Sequence, residues 1–335
     1  MANNGKFNIL IPDHIKPPAD VETEVFGGKV HILTPNGMNN AEVPQEMWAE
    51  ADAILTYDRM TYRKDFLLQL RKCKVIVRAG IGYDNIDAVE AKKRGIVVCN
   101  VPDYCMSEVA DHTMALLLAL VRNITEYNKA VQKGAWPRKS SLSFRLDGKT
   151  FGIVGMGRIG WATARRAKAF GLKVLFFDPS VKSIAGCHKV KSLETLAKSC
   201  DIISLHTPLT ELTRNMINAD FFKRTRKGLM LLNSSRGGLI DLNALHDAMK
   251  NDTVSAAGLD ALPVEPPSGA DALTKDFLND AEWLRGRLLI TPHVSYYSHE
   301  ALIELRRKAA LEAKAVLDGK RPKNCVNDFY GKRAK

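Results

Sequence analysis

The chain has 335 residues, enough for about two domains, and its 45% hydrophobic and 26% charged residues are ordinary for a globular protein with a core of useful size. No run of about twenty apolar residues offers a membrane span. The formal net charge of +12 comes from Lys and Arg spread along the chain; the one dense basic stretch runs from Lys320 to Arg333, without a zinc-finger or basic-zipper pattern, so nucleic-acid binding is not expected.

Phe7 to Pro12 reads as a short strand ended by proline, and Lys29 to Leu33 as a second, closed by Thr34-Pro35-Asn36-Gly37. Ala53 to Thr56 and Val75 to Val77 are short apolar runs of the kind that buried parallel strands show. Between them, Tyr62 to Arg71 carries Phe66, Leu67 and Leu70 at helical spacing. Ile96 to Cys99 is a further strand. This alternation argues a first α/β domain of about one hundred residues.

Ser107 to Asn128 reads as one long helix, with Ser107 as its cap, Glu108 and Asp111 in the first turn, and an almost wholly apolar stretch from Met114 to Val121. A helix apolar on all sides is buried, here between domains or subunits. Gly134 to Gly148 is polar and irregular and reads as a loop or arm. A second alternation starts at Lys149. Its strands are expected at 151–154, 173–177, 202–205, 229–232, 254–259 and 288–290, and its helices at 159–170, 193–198 and 242–249. A last long helix runs from His299 to Leu317 and stops at Gly319. No fixed-period repeat is visible.

Gly155-Met156-Gly157-Arg158-Ile159-Gly160 fits the G-x-G-x-x-G turn, which is weak evidence alone. Here it follows an apolar strand, opens a helix, and the next strand ends in Asp178, eighteen residues after Gly160, where a dinucleotide fold places an acid. Gly155 permits the tight turn, Gly157 lets backbone approach a pyrophosphate, and Gly160 allows close helix–strand packing. The helix N-terminus offers unpaired N–H groups to phosphate. Asp178 can accept both adenosine ribose hydroxyls and repels a 2′-phosphate, which favours NAD over NADP, although Lys182 stands close in sequence. A methyltransferase is the main rival for a glycine-rich α/β turn; the placement of Asp178 argues against it.

Three polar residues follow later strands: Arg236 in Asn233-Ser234-Ser235-Arg236-Gly237-Gly238, Glu265 in Asp260-Ala261-Leu262-Pro263-Val264-Glu265, and His293 in Thr291-Pro292-His293. Singly each has a duller reading, a surface Arg or Glu or a capped loop histidine. Together they occupy the strand ends where ligands of open parallel sheets bind. Reducing a 2-keto acid needs a hydride on carbon and a proton on oxygen. Histidine can give that proton and take it back. A neighbouring carboxylate favours the protonated ring, which suits Glu265. Arg236 offers a planar fork for the substrate carboxylate and can polarise the keto oxygen.

The six cysteines, at 73, 99, 105, 187, 200 and 325, have no Cys-x-x-Cys spacing, so no metal site is expected. With no apolar leader among the first thirty residues, a reducing, cytoplasmic setting is expected.

On Val77-Arg78-Ala79-Gly80-Ile81-Gly82-Tyr83-Asp84-Asn85-Ile86-Asp87, Asn100-Val101-Pro102, Glu108-Val109-Ala110-Asp111-His112, the glycine turn, His206-Thr207-Pro208-Leu209-Thr210, the Arg236, Glu265 and His293 segments and Asn324-Cys325-Val326-Asn327, the chain resembles the D-isomer-specific 2-hydroxyacid dehydrogenases, and within them the C-terminal-binding-protein-like branch. The resemblance spans about Cys73 to Asn327. It implies two doubly wound parallel-sheet domains: a Rossmann NAD-binding domain at 104–292 inserted into a flavodoxin-like substrate domain made of 1–103 and 293–335, with a hinge between them. It implies hydride transfer between NAD and C2 of a small 2-hydroxy or 2-keto acid, with His293 as acid/base, Glu265 as its partner and Arg236 on the substrate. Arg78 and the backbone of Gly80-Ile81-Gly82 would hold the substrate carboxylate. Arg158, Ile159, Asp178, Thr207, Ser234 and Asp260 would contact NAD, Asp260 near the nicotinamide amide. A homodimer around the cofactor domain is implied, as is a rival role as an NAD(H)-sensing corepressor-like binding protein. Where many members have glycines after the histidine, this chain has Val294-Ser295-Tyr296-Tyr297-Ser298, and Tyr296 would line the substrate pocket. Ser268 to Arg287 is longer than in many relatives, and no additional regulatory domain is expected within the 335 residues.

Overall fold

The structure is a computed structural model and describes residues 7–139 and 143–331; Lys332 and Arg333 of the basic tail, and 140–142 of the expected loop, lie outside the described residues. The chain divides into two compact units, Met1–Tyr104 with Ser298–Lys335, and Cys105–Tyr297. Among the described residues, no helix is long and apolar enough to cross a membrane.

The first unit is built on five parallel strands, β1 (Phe7–Leu10), β2 (Val30–Leu33), β3 (Ala53–Thr56), β4 (Val75–Arg78) and β5 (Val97–Asn100), in the order β2-β1-β3-β4-β5. That is the flavodoxin-like order. β3 and β5 are buried along their whole length, which is why they read as unbroken apolar runs. The helix His299–Leu317 packs against β3, β4 and β5, and against the helix Asp20–Phe26. Ser298 caps it by accepting the Ala301 amide at 2.9 Å. Arg306 from this helix meets the buried Glu22 through two bonds of 2.9 and 2.6 Å.

The second unit holds seven parallel strands: β6 (Thr150–Val154), β7 (Lys173–Phe177), β8 (His188–Lys189), β9 (Ile202–Leu205), β10 (Leu229–Asn233), β11 (Val254–Leu259) and β12 (Leu288–Ile290). Their order is β12-β11-β10-β9-β6-β7-β8. Counted from β6, this is the dinucleotide-binding order, and the chain reverses direction across the sheet between β6 and β9.

Two expected helices differ. The helix from Tyr62 to Arg71 shrinks to Lys64–Leu67, because Tyr62, Leu67 and Leu70 are held in one apolar cluster that a turn satisfies. The long helix at 107–128 is two, Met106–Val121 and Ile124–Gln132, broken where Asn123 adopts a left-handed φ of 51°. Ser107 is not its cap: Cys105 holds that position without a side-chain cap bond, and the Ser107 hydroxyl accepts from Arg166 at 2.8 Å. The apolar face of Met106–Val121 is used inside the second unit, where Met114, Leu116, Leu117, Leu120 and Val121 join Phe151, Ile153 and Leu232 in one core. Its apolarity is therefore explained without a second chain.

Candidate active site

In the second unit the glycine turn joins β6 to the helix Arg158–Ala169. Gly155 has φ of 90°, and a Cβ there would lie 2.6 Å from the carbonyl oxygen of His206. A Cβ on Gly160 would lie 2.2 Å from the Gly155 oxygen, so the helix starts tight against the turn. Gly157 is the helix N-cap and brings no side-chain cap, which leaves the N–H groups at Arg158 and Ile159 to an incoming anion.

Asp178, directly after β7, closes this turn. Its Oδ2 accepts the Met156 amide at 2.8 Å, and its Oδ1 accepts Ser180 and Val181 at 2.8 and 2.9 Å. Burial opposes its ionisation, but the amides of Val181, Met156 and Ser180 outweigh it and hold the carboxyl below its ordinary value. It is thus a fixed negative charge beside the glycine turn. The fit to a dinucleotide is therefore good on this chain's own terms: a backbone turn with no side chains in the way, a free helix end and an adjacent anchored carboxylate.

Sequence reading placed His206 in the His-Thr-Pro segment without a role; it follows β9 and sits against Gly155. Its Nε2 is 2.8 Å from Ser204 Oγ, while its buried Nδ1 has no partner. Burial drives its pKa down to about 4, so the ring is neutral. The His-Thr-Pro run after a strand was the available signal. Thr207 comes next, and its carbonyl accepts Ser235 Oγ at 2.7 Å. Ser234 Oγ lies 2.7 Å from Thr113 Oγ1, which ties the end of β10 to the helix Met106–Val121.

His293 and Glu265 stand within hydrogen-bond distance of each other. His293 Nδ1 is 2.8 Å from Glu265 Oε2, and Glu265 Oε1 accepts the Leu262 amide at 2.8 Å. Arg236 stands at the end of the neighbouring strand, half-buried, with Nη1 donating to the Ser235 carbonyl at 2.9 Å. The following Gly237 packs so closely that a Cβ would lie 1.9 Å from the Leu262 carbonyl carbon. The Arg236 turn and the Glu265 loop are therefore in direct contact. His293 itself has a left-handed φ of 51°, a conformation that a non-glycine residue keeps only when its surroundings enforce it.

Asp260 supplies that enforcement. Its side chain is fully buried and accepts Thr291 Oγ1 at 2.6 Å and the amides of Val294 and Ser295 at 2.9 Å each. Burial raises its cost of ionisation, but the hydroxyls of Ser295 and Thr291 and these amides prevail and keep it below the ordinary carboxylate range. His112 Nε2 extends the network to Thr291 Oγ1 at 3.0 Å. Asp260 was expected to contact NAD near the nicotinamide amide; its carboxylate is bonded to the turn that carries His293. Tyr296 is half-buried, with its ring edge-on to the exposed Tyr297 at 6.5 Å.

The first unit carries the remaining expected residues. Arg78 ends β4, and its guanidinium folds onto Gly80, with Nη1 1.5 Å from where a Cβ would sit and bonded to the Ala79 carbonyl at 2.7 Å. The carbonyls of Gly80 and Ile81 are taken by the Val101 amide at 2.9 Å and Asn100 Nδ2 at 2.7 Å, which fixes the loop on the end of β5. Beside them, unforeseen in the sequence, lie Asp13, His14 and Asp58 at the ends of β1 and β3, with ligand atoms within 4.8 Å of one another. His14 Nε2 is 2.6 Å from Asp58, whereas the Asp13 oxygens already accept the Tyr57 and Arg59 amides.

The family profile "D-isomer specific 2-hydroxyacid dehydrogenase, NAD binding domain" matches residues 114–295. The chain is 36% identical over 323 residues to a D-3-phosphoglycerate dehydrogenase of Methanocaldococcus jannaschii, a match that covers 95% of this chain and 59% of that protein, so this chain spans less than two thirds of that relative. It is 34% identical over 289 residues to a hydroxypyruvate reductase of Thermotoga maritima, covering 86% of this chain and 92% of the other. Among solved structures, a D-lactate dehydrogenase from Aquifex aeolicus complexed with NAD and lactic acid superposes with a TM-score of 0.82 at 28% identity, covering 93% of this chain and 96% of that one.

Proposed function

The chain belongs to the D-isomer-specific 2-hydroxyacid dehydrogenases, and on that premise we propose that it is an NAD-dependent reductase of small 2-keto acids, acting reversibly on the matching D-2-hydroxy acids. The observation that carries this reading is the 2.8 Å pair of His293 and Glu265, which follow strands of the same parallel sheet as the glycine turn and Asp178, at the carboxyl ends of those strands.

Bound NAD supplies a hydride donor or acceptor at C4 of its nicotinamide ring. The protein supplies the rest. The N-terminus of helix Arg158–Ala169 holds the pyrophosphate, with Arg158 and Ile159, and Asp178 takes the adenosine ribose hydroxyls and disfavours a 2′-phosphate. Thr207 and Ser234 complete the cofactor contacts from β9 and β10. In the first unit, Arg78 and the amides of Gly80, Ile81 and Gly82 are suited to a carboxylate. Arg236 binds and polarises the keto oxygen. Glu265 holds His293 Nδ1, which orients Nε2 as the atom that gives the oxygen its proton and recovers it in reverse. Tyr296 borders the substrate side chain. Asp260 acts through the His293 turn.

The relatives described above are named for dehydrogenase and reductase activities, so the corepressor-like alternative gains no support from them, and placement in the C-terminal-binding-protein-like branch rests on sequence resemblance alone. A homodimer through the second unit would cover Ile124, Val131 and Trp136, which are 56%, 48% and 74% exposed. Light scattering on purified protein tests that arrangement. A panel of 2-keto acids with NADH and NADPH, read as loss of reduced cofactor, tests the function. Turnover on no acid, or turnover that persists in His293→Gln, would overturn it.

A further inference from the structure

Cys99 and Cys325 lie 226 residues apart in sequence yet face each other as partners of an isolated antiparallel bridge. β5 is an edge strand of the first unit's sheet, and the segment before Asn327 runs along its open side. The flanking bonds define the register. The Val326 amide donates to the Val98 carbonyl at 2.8 Å, and the Asn100 amide donates to the Asn324 carbonyl at 3.3 Å. Those bonds bracket the two cysteines rather than joining them, so they form a non-hydrogen-bonded pair. In such a pair the Cα atoms are about 4.5 Å apart and the side chains leave the strands on the same face, closer than at any other antiparallel position. A disulfide requires Cα atoms separated by about 4.4–6.8 Å. Among the described residues no other two cysteines are bridge partners.

We propose that Cys99 and Cys325 form a reversible disulfide, a covalent modification site that fastens the C-terminal segment to β5 when the protein meets a hydroperoxide. The two thiols are unequal. Cys99 is wholly buried, and Cys325 is partly exposed with its Sγ donating to Asn327 Oδ1 at 3.3 Å. Burial, reinforced by Glu312 and Cys325, pushes the Cys99 thiol up, so it stays protonated and Cys325 meets the oxidant first. The Cys325 sulfur attacks the peroxide, forming an S–O bond and breaking the O–O bond, and one water leaves. The Cys99 sulfur then attacks the Cys325 sulfenic acid. The S–S bond forms, the S–O bond breaks, and the departing hydroxide takes the Cys99 proton as a second water. Two thiols lose two electrons to one peroxide. A small thiol reductant reverses the change by exchange at the partly exposed Cys325.

The cross-link acts near the substrate end of this unit, because Asn100 and Val101, the two residues after Cys99, hold the Gly80–Ile81 loop. Its existence does not depend on the dehydrogenase reading.

The test treats the purified full chain with hydrogen peroxide and then with dithiothreitol. Titratable thiols in denaturant fall from the six of the sequence to four, and the intact mass drops by about 2 Da. Non-reducing digestion recovers a peptide pair joined through Cys99 and Cys325, and dithiothreitol restores both values. Cys325→Ser abolishes this loss. Cys99→Ala leaves Cys325 as a trappable sulfenic acid, about 16 Da heavier. The proposal is overturned if wild type also stops at oxidised Cys325 with Cys99 untouched. It is equally overturned if Cys325 links to another cysteine or chain, or if Cys325→Ser still loses two thiols.

Discussion

The backbone amide of His293 donates to the carbonyl oxygen of Asp260 at 2.9 Å, fastening the end of β12 to the end of β11. The Asp260 carboxylate continues the join by taking the next two amides of the turn. In Asp260→Asn, one carboxylate oxygen becomes a donor facing donors. Stability is expected to fall by about 2–4 kcal/mol. Turnover should fall up to about a hundredfold through misplacement of the imidazole. Denaturant titration and steady-state kinetics measure the two effects; wild-type values for both would remove Asp260 from this role.

Glu265→Gln keeps an acceptor opposite His293 Nδ1 but removes the charge. We expect kcat to drop about a hundredfold. The dissociation constant for NADH, from fluorescence titration, should not move, because the Glu265 carboxylate is engaged with the Leu262 amide and the imidazole. A change in cofactor affinity as large as the change in kcat would contradict the assignment.

Asp178→Asn retains an acceptor for the turn amides while deleting the fixed charge. The ratio of kcat/KM for NAD to that for NADP should fall by about tenfold or more, equivalent to roughly 1.4 kcal/mol. An unchanged ratio would mean that some other group sets the cofactor preference.

Much of this site was readable from residue types and spacing. The strands at 53–56, 173–177, 202–205, 254–259 and 288–290 appear at the expected bounds, because a buried parallel strand is an apolar run with polar ends. The pairing of Glu265 with His293 followed from both standing after strands of one sheet. What was missed depends on three-dimensional neighbours. Helices such as Asp20–Phe26 and Ala272–Leu278 are too short to show a period. The break at Asn123 leaves the apolar pattern on either side intact. Nothing local in the sequence shows that Asp260 is fully enclosed, since its partners Thr291, Val294 and Ser295 are over thirty residues away.

His206 makes the fold acid-sensitive. Its folded pKa, about 4, lies below the ordinary 6.5, so as pH falls the unfolded chain takes the proton first. Stability from this residue is constant above about 6.5 and drains away between there and 4, by about 3 kcal/mol in all. His206→Gln should flatten that slope. Urea unfolding at several pH values would show it; parallel slopes for the two proteins would refute the assignment.

Arg306→Ala strands the buried Glu22 without its two guanidinium bonds. Loss of one member of such a pair costs about 3–5 kcal/mol. Thermal or denaturant melting should show a loss of this order, and Glu22→Gln combined with Arg306→Met should recover part of it.

The first unit is assembled from both ends of the chain, and this fixes an order on the ribosome. By the time Tyr104 has been made, all five strands of its sheet exist, but the helix that covers β3, β4 and β5 does not. The contiguous unit of Cys105–Tyr297 is synthesised whole in the meantime. Only when Asn327 arrives, with its side chain bonded to Val98 and Ile96, does the edge of the earlier sheet acquire its last partner. The domain that is translated first is therefore the one completed last, and its exposed strands must wait about two hundred residues for their cover, at ribosomal rates of about 5–20 residues per second.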